Sequence, residues 1–160
     1  MSRSAPENAR DDALDARLRA LGTRSPKCSF LCCDETDPFA LTGVHPGILC
    51  REHDADRHGR QWIEEHHPAG KSNDPCTVPI PANDHAVLSA NQALWPRETL
   101  RNPDGSPLLR LAAAIRGWLE ILRLIIERAI AWAPAYLGDL DKRLRAVHGD
   151  EWWRQSEFQP

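Results

Sequence analysis

The spacing of four cysteines and one histidine constrains the fold of this chain more than any other sequence feature. These residues follow the pattern C-x3-CC, then a loop, then C-x2-H, and they are Cys28, Cys32, Cys33, Cys50 and His53. Two short-spaced ligand pairs separated by a loop can close a tetrahedral zinc site, because each pair holds the metal from one turn of the chain. The pattern therefore predicts a structural zinc site that uses either Cys32 or Cys33. In the alternative interpretation, the cysteines are unlinked thiols of a small core.

The segment around these ligands also favours a metal-stabilised domain. Residues 25–101 are rich in Pro, Asp, Asn, His and Cys and contain only short apolar runs, so the small core that they can form needs an additional stabiliser. The N-terminal sequence MSRSAPENARDD has no apolar stretch typical of a secretory signal. We therefore expect a cytoplasmic protein with reduced cysteines, in which metal binding is favoured over disulfides.

Hydropathy and turn signals divide the chain into three segments. These are a flexible start with an amphipathic helix over residues 1–24, the zinc-binding domain over residues 25–101 and a helical hairpin over residues 102–160. The helix of the first segment carries Leu14, Leu18 and Leu21 at helical spacing and is expected to dock weakly on the rest of the chain.

A strand, a loop, a second strand and a helix are expected to follow one another in the middle segment. The strands are predicted over residues 61–67 and 77–80, with a turn or loop over residues 68–74 between them. Asn83 or Asp84 then begins the helix as an N-cap, and this capping role is also the alternative to any catalytic role for either residue. The expected fold class is α+β.

Two helices are predicted in the C-terminal segment. Ser106 and Pro107 begin the first of them, Pro134 breaks it, and the second ends near Gly149. Residues 108–133 are apolar enough to resemble a membrane span, but repeated Arg and Glu residues argue against membrane insertion. Because the apolar face of the first helix is wide, we expect it to be buried on two sides, within the hairpin and in a homodimer.

Histidines stand at both ends of the predicted strand–loop–strand–helix segment. The sequence EEHHPAGKSND of residues 64–74 contains His66 and His67, and the sequence PANDH ends in His85. Imidazoles at a strand end and at a helix start can gather around one divalent metal, since Pro68 ends the strand and frees its side chains from strict alternation. The formal charge of −3 and the lack of a basic block argue against tight nonspecific binding of DNA.

Residues 28–95 resemble the HNH endonuclease family. The matching pieces are HHPAGKSN of residues 66–73, TVPI of residues 77–80 and PANDH of residues 81–85. The second cysteine pair of the family would fall at Pro81 and Asp84 and is absent, which leaves the upstream Cys and His residues as the zinc ligands. The asparagine of the family has Asn73 and Asn83 as candidates, since Cys76 occupies the position nine residues before His85.

This resemblance implies a zinc-stapled ββα-metal domain, similar to a treble clef, that hydrolyses DNA. It assigns His67 as the general base, and His66 and His85 as ligands of a catalytic Mg²⁺ or another divalent cation, with Asn73 or Asn83 as the remaining catalytic residue. Two other interpretations stay open. The chain can be a noncatalytic zinc-binding module of HNH descent that recognises nucleic acid or a protein, or a helical interaction protein in which the histidine spacing is coincidental.

Overall fold

The computed structural model describes residues 5–154 and combines helices with two small antiparallel sheets. In chain order, the elements are α1 Ala5–Leu21, β1 Leu41–Thr42, β2 Leu49–Cys50, α2 Arg51–Arg57, β3 Ile63–His66, β4 Val78–Pro81, α3 Ala82–Ala93, α4 Arg97–Arg101, α5 Pro107–Ile125, a π-helical turn Ile126–Ile130, α6 Ala133–His148 and a 3₁₀ turn Trp152–Arg154. The α+β class is confirmed. Residues 1–4 and 155–160, at the outer ends of the expected first and third segments, lie outside the described residues.

The first hairpin and α2 form one small layer with the C-terminal end of α1. Strands β1 and β2 pair with Leu41 opposite Cys50, and α2 begins directly after β2. Leu21 of α1 is fully buried in the same cluster as Cys28, Leu41, Ile48 and Cys50. The sequence did not predict β1, β2 or α2, because two-residue strands and a seven-residue helix are too short to show a periodicity.

The second hairpin and α3 form a continuous strand–strand–helix unit. Strands β3 and β4 pair from Ile63 opposite Pro81 to His66 opposite Val78, and α3 begins immediately after β4. The backbone N–H of Ala82 donates to the carbonyl of Trp62 at 2.7 Å, which fixes the start of α3 on β3. Helix α3 packs on both strands and on α2. The expected order of strand, loop, strand and helix is confirmed.

The loop between β3 and β4 packs against the start of α5. Ala69 of this loop, Trp95 and Ala113 form a second buried cluster, and the indole N–H of Trp95 donates to Glu120 at 2.7 Å. Ser106 caps α5 as expected, since its hydroxyl accepts the N–H of Leu109 at 3.5 Å. The first half of α5 therefore supports the loop that follows His66.

The described chain divides into two compact units, one up to Ile121 and one from Leu122. This boundary lies within α5, because the first half of α5 packs against Trp95. In the second unit, Pro134 lies in the first turn of α6, and Gly149 caps the helix with a φ of +88°. Asp141 accepts hydrogen bonds from the indole of Trp152 at 2.8 Å and from Arg145 at 2.7 Å.

The part of α5 up to Ile121 buries one narrow face within the first unit. There the buried residues are Ala113, Gly117 and Ile121, while Leu108 is 77% and Leu119 is 60% exposed. Hydropathy gives the width of an apolar face but not its partner. The homodimer stays a prediction. None of the described helices is long and apolar enough to cross a membrane.

Candidate metal centre and histidine site

Four of the five predicted zinc ligands converge at one point. Cys28 and Cys33 lie on the turn before β1, Cys50 ends β2, and His53 lies in the first turn of α2. Their ligand atoms lie within 4.8 Å of one another. No second group of three or more Cys, His, Asp or Glu side chains comes this close among residues 5–154.

Two of the distances within this cluster fit a tetrahedral zinc ion. Zinc–sulfur and zinc–nitrogen bonds of about 2.3 and 2.05 Å imply ligand separations of about 3.8 Å between two sulfurs and about 3.6 Å between sulfur and nitrogen. The sulfurs of Cys33 and Cys50 are 4.0 Å apart, and the Cys28 sulfur lies 3.7 Å from His53 Nδ1. The Cys50 sulfur lies closer to His53 Nδ1, at 2.9 Å. The donor set of three thiols and one imidazole is that of a closed structural zinc site.

The surroundings of the cluster orient its ligands. The backbone N–H of Cys50 donates to the Cys28 sulfur at 3.2 Å, and the ring of Phe30 stacks on His53 with a centroid separation of 4.0 Å. Burial raises the pKa of Cys33 to about 12; the backbone N–H of Glu35 lowers it, whereas the Cys28 and Cys50 thiols raise it further. A bound cation reverses this preference, because coordination deprotonates a thiol.

The structure distinguishes Cys33 from Cys32. Cys33 belongs to the cluster, whereas Cys32 is exposed and has a φ of +64°. This left-handed conformation turns the chain between Cys28 and Cys33 and brings Cys33 to the metal position. Cys32 is therefore not one of the four clustered residues, and spacing alone left this choice open. Cys76 is also exposed and lies outside the cluster.

His66 and His85 meet where β3 lies against α3. His66 ends β3 and is 3% exposed, and its ring meets that of His85 edge-on at a centroid separation of 5.4 Å. His85 lies in the first turn of α3, and its Nδ1 lies 2.5 Å from a carboxylate oxygen of Glu64. Burial, together with the charges of His85 and His67, lowers the pKa of His66 to about 4. The His66 imidazole is therefore neutral at pH 7.

His67 begins the loop that α5 and α3 hold in place. Its Nδ1 is buried and has no hydrogen-bond partner. The side-chain amide of Gln92 donates to the carbonyls of His67 at 2.9 Å and Pro68 at 3.2 Å, while Gly117 packs directly against the Pro68 backbone. A free imidazole nitrogen on a backbone fixed from two sides is suited to accept a proton.

The amides of both candidate asparagines are engaged by the backbone. Asn73 is 5% exposed and donates to the carbonyls of Ala69 at 3.0 Å and Thr99 at 2.8 Å, although its own Oδ1 lacks a partner. The Oδ1 of Asn83 accepts the N–H of Glu52 at 3.2 Å, and the Asn83 N–H in turn bonds the Glu52 carboxylate. Asn73 thus closes the β3–β4 loop, and Asn83 joins α3 to α2.

A cleft of about 440 Å³ lies beside His85 and contains two arginines that the sequence did not single out. We call it the arginine cleft; it is lined by Arg17, Phe39, Arg51, Glu64, Ala82, His85, Ala86, Ser89 and Ala90. Arg17 and Arg51 come from different helices far apart in the sequence, so no local motif marks them. Gln92 and Gly117 were also missed, although a glycine inside an apolar helix is a recognised sign of close packing.

No protein-family model matches this chain, and neither the curated proteins nor the solved structures yield a significant match. The functional assignment therefore depends on the geometry of the two sites and on the motifs of the sequence.

Proposed function

We propose that this protein is a divalent-cation-dependent nuclease that hydrolyses DNA phosphodiester bonds at an HNH-like ββα-metal site. The observation that carries this proposal is the meeting of His66, from the end of β3, with His85, from the first turn of α3, next in sequence to His67, whose Nδ1 has no hydrogen-bond partner. Two imidazoles that can bind a metal and a third that can accept a proton together supply the two main functions that this hydrolysis needs.

The donor set supports a cation between His66 and His85. Because Glu64 lies 2.5 Å from His85 Nδ1, this nitrogen carries the proton and leaves Nε2 with its lone pair available to a metal. His66 contributes a neutral imidazole, the form that binds metals. A divalent cation held by these two residues would neutralise charge on the phosphoryl group and on the departing oxygen.

The role proposed for His67 is that of general base. Its imidazole takes a proton from water, the water oxygen forms a bond to phosphorus, and the bond from phosphorus to the ester oxygen breaks. The departing oxygen takes a proton from solvent, so the products are a phosphate monoester and a hydroxyl. Gln92 and Gly117 would act as positioning residues, because they hold the backbone of His67 and Pro68 in place.

The zinc ligands support this site without taking part in the chemistry. Zinc bound by Cys28, Cys33, Cys50 and His53 would fix α2 to the first hairpin. Helix α2 in turn bonds α3 through Glu52 and Asn83, two residues before His85. The cysteine pair that the HNH family has near His85 is absent, but zinc bound beside α2 could still stabilise the position of α3 and His85 through α2.

The proposal is tested by nicking of supercoiled plasmid by zinc-loaded protein in Mg²⁺, Mn²⁺ or Ni²⁺. We expect His67→Ala to lower the rate by at least about a hundredfold, the usual contribution of a general base, while circular dichroism and zinc content stay unchanged. His58→Ala is the matched control, since His58 lies exposed at the end of α2 and should leave the rate unchanged. Clean wild-type protein that binds DNA but does not cut it in any of these ions favours the noncatalytic module instead.

A further inference from the structure

We propose that the arginine cleft binds a backbone phosphate of the nucleic acid through Arg17 and Arg51. This inference rests on the proposed function and names the part of the chain that holds the substrate beside His85. The formal charge of the chain is −3 and no sequence block is basic, so substrate affinity must come from a few placed cations. The arginine cleft supplies two of them next to the candidate metal ligand.

The two guanidinium groups lie close together without a carboxylate partner among residues 5–154. The burial of Arg17 lowers the pKa of its guanidinium, and the charge of Arg51 lowers it as well. The carboxylate that lines the cleft, that of Glu64, is directed to His85 Nδ1 at 2.5 Å. An anion bound between two like charges reduces their mutual repulsion.

Arg17 is held in place before any ligand arrives. Its Nε donates to the carbonyl of Pro38 at 3.0 Å, and one terminal nitrogen donates to the carbonyl of Leu41. These bonds fix α1 to the segment that precedes β1, and they keep the guanidinium at the cleft. A planar guanidinium that is already ordered loses little further entropy when it bonds a phosphate.

The floor of the cleft favours a nucleic-acid backbone over free phosphate. Ala82, Ala86 and Ala90 recur every four residues and therefore share one face of α3, with His85 and Ser89 beside them. Small side chains let an extended sugar–phosphate chain approach the helix closely. From the phosphate bound by the two arginines, the sugar–phosphate backbone of the nucleic acid would then continue towards His85.

The test measures the affinity of a fluorescently labelled DNA duplex by anisotropy, with all variants in the His67→Ala background so that the DNA stays intact. Arg51 is exposed, so Arg51→Gln should leave the fold unchanged; Arg57→Gln, at the other end of α2 and outside the cleft, is the control. We expect Arg51→Gln to weaken binding about tenfold and to reduce the slope of log affinity against log salt by about one. Arg17→Lys keeps the positive charge but loses the planar guanidinium that can donate two parallel hydrogen bonds to a phosphate, so it should also weaken binding.

Equal affinities and salt slopes for Arg51→Gln and Arg57→Gln would overturn the inference, even if the wild-type protein cuts DNA. If binding depends on Arg51 but the wild type never cuts DNA, the arginine cleft is supported and the nuclease proposal is not. A parallel titration with inorganic phosphate alone, followed by thermal shift, distinguishes binding of free phosphate from binding of a nucleic-acid backbone phosphate. Arg51-dependent stabilisation by inorganic phosphate without DNA binding would overturn the assignment to nucleic acid.

Discussion

Gly117 gives the most specific prediction about how α5 supports the histidine site. A Cβ atom placed on Gly117 would lie 1.8 Å from the carbonyl oxygen and 2.5 Å from the carbonyl carbon of Pro68. Both are backbone atoms of the loop that begins at His67, so no side chain can move aside to make room. The Gly117→Ala substitution must therefore push this loop and α5 apart.

The magnitude follows from these distances. The Cβ must retreat by about 1.2 Å to reach 3.0 Å from the Pro68 oxygen, the shortest separation that real Cβ atoms show. Overpacking of this kind costs about 1–3 kcal/mol, and more where the backbone has to move. The gain in helix propensity from Gly to Ala offsets about 1 kcal/mol of that cost. We expect a net loss of at least about 1–2 kcal/mol and, if the proposed nuclease activity is present, a fall in its rate, because His67 moves with Pro68.

Gly138→Ala is the matched control, since Gly138 also lies within a helix but its Cβ would meet nothing within 4 Å. Thermal unfolding of both variants, followed by far-ultraviolet circular dichroism, should show Gly117→Ala destabilised and Gly138→Ala unchanged or stabilised by up to about 1 kcal/mol. If Gly117→Ala is as stable and as active as the wild type, the close packing of α5 on the Pro68 backbone is refuted.

Three further predictions concern the ligands and their supports. Cys33→Ser should lose bound zinc in elemental analysis and unfold at lower temperature, whereas Cys32→Ser should keep one zinc per chain; equal zinc content in the two would contradict the assignment of Cys33. The His66 imidazole should titrate near pH 4 by NMR, and a midpoint above 6 would contradict the burial argument. The unfolded chain, in which this histidine has an ordinary pKa near 6.5, binds the proton at higher pH than the folded chain does. The free energy of unfolding should therefore fall as the pH drops from about 6.5 to 4. Asn83→Ala should cost about 1–2 kcal/mol in denaturant unfolding, because it leaves the Glu52 N–H without its acceptor at the start of α2, and an unchanged midpoint would refute this cap.

The sequence predicted the features that depend on local patterns. The spacing of Cys28, Cys50 and His53 was sufficient to identify three members of the clustered set that can hold a metal ion. The second hairpin and α3 were also predictable, since β-branched residues mark β4. In both cases the information lies within a few neighbouring residues, and the fold only has to bring the pieces together.

Features that depend on distant contacts could not be predicted. The choice between Cys32 and Cys33 depends on the positive φ of Cys32, which a spacing rule does not contain. Arg17 and Arg51 reach the same cleft only because α1 docks beside the first hairpin. Hydropathy shows that α5 is apolar around much of its circumference, but it does not show which surface covers each side, and Leu108 and Leu119 are exposed within the first unit.

The central claim is that two separate metal sites serve two purposes, a zinc ion for the fold and a second cation for hydrolysis. Anomalous diffraction from zinc-loaded crystals soaked in Mn²⁺, recorded at the zinc and manganese edges, tests this directly. We expect a zinc peak among Cys28, Cys33, Cys50 and His53, and a manganese peak within about 2.3 Å of imidazole nitrogens of His66 and His85. Manganese bound elsewhere or not at all, or zinc absent from the cysteine cluster, would contradict the account.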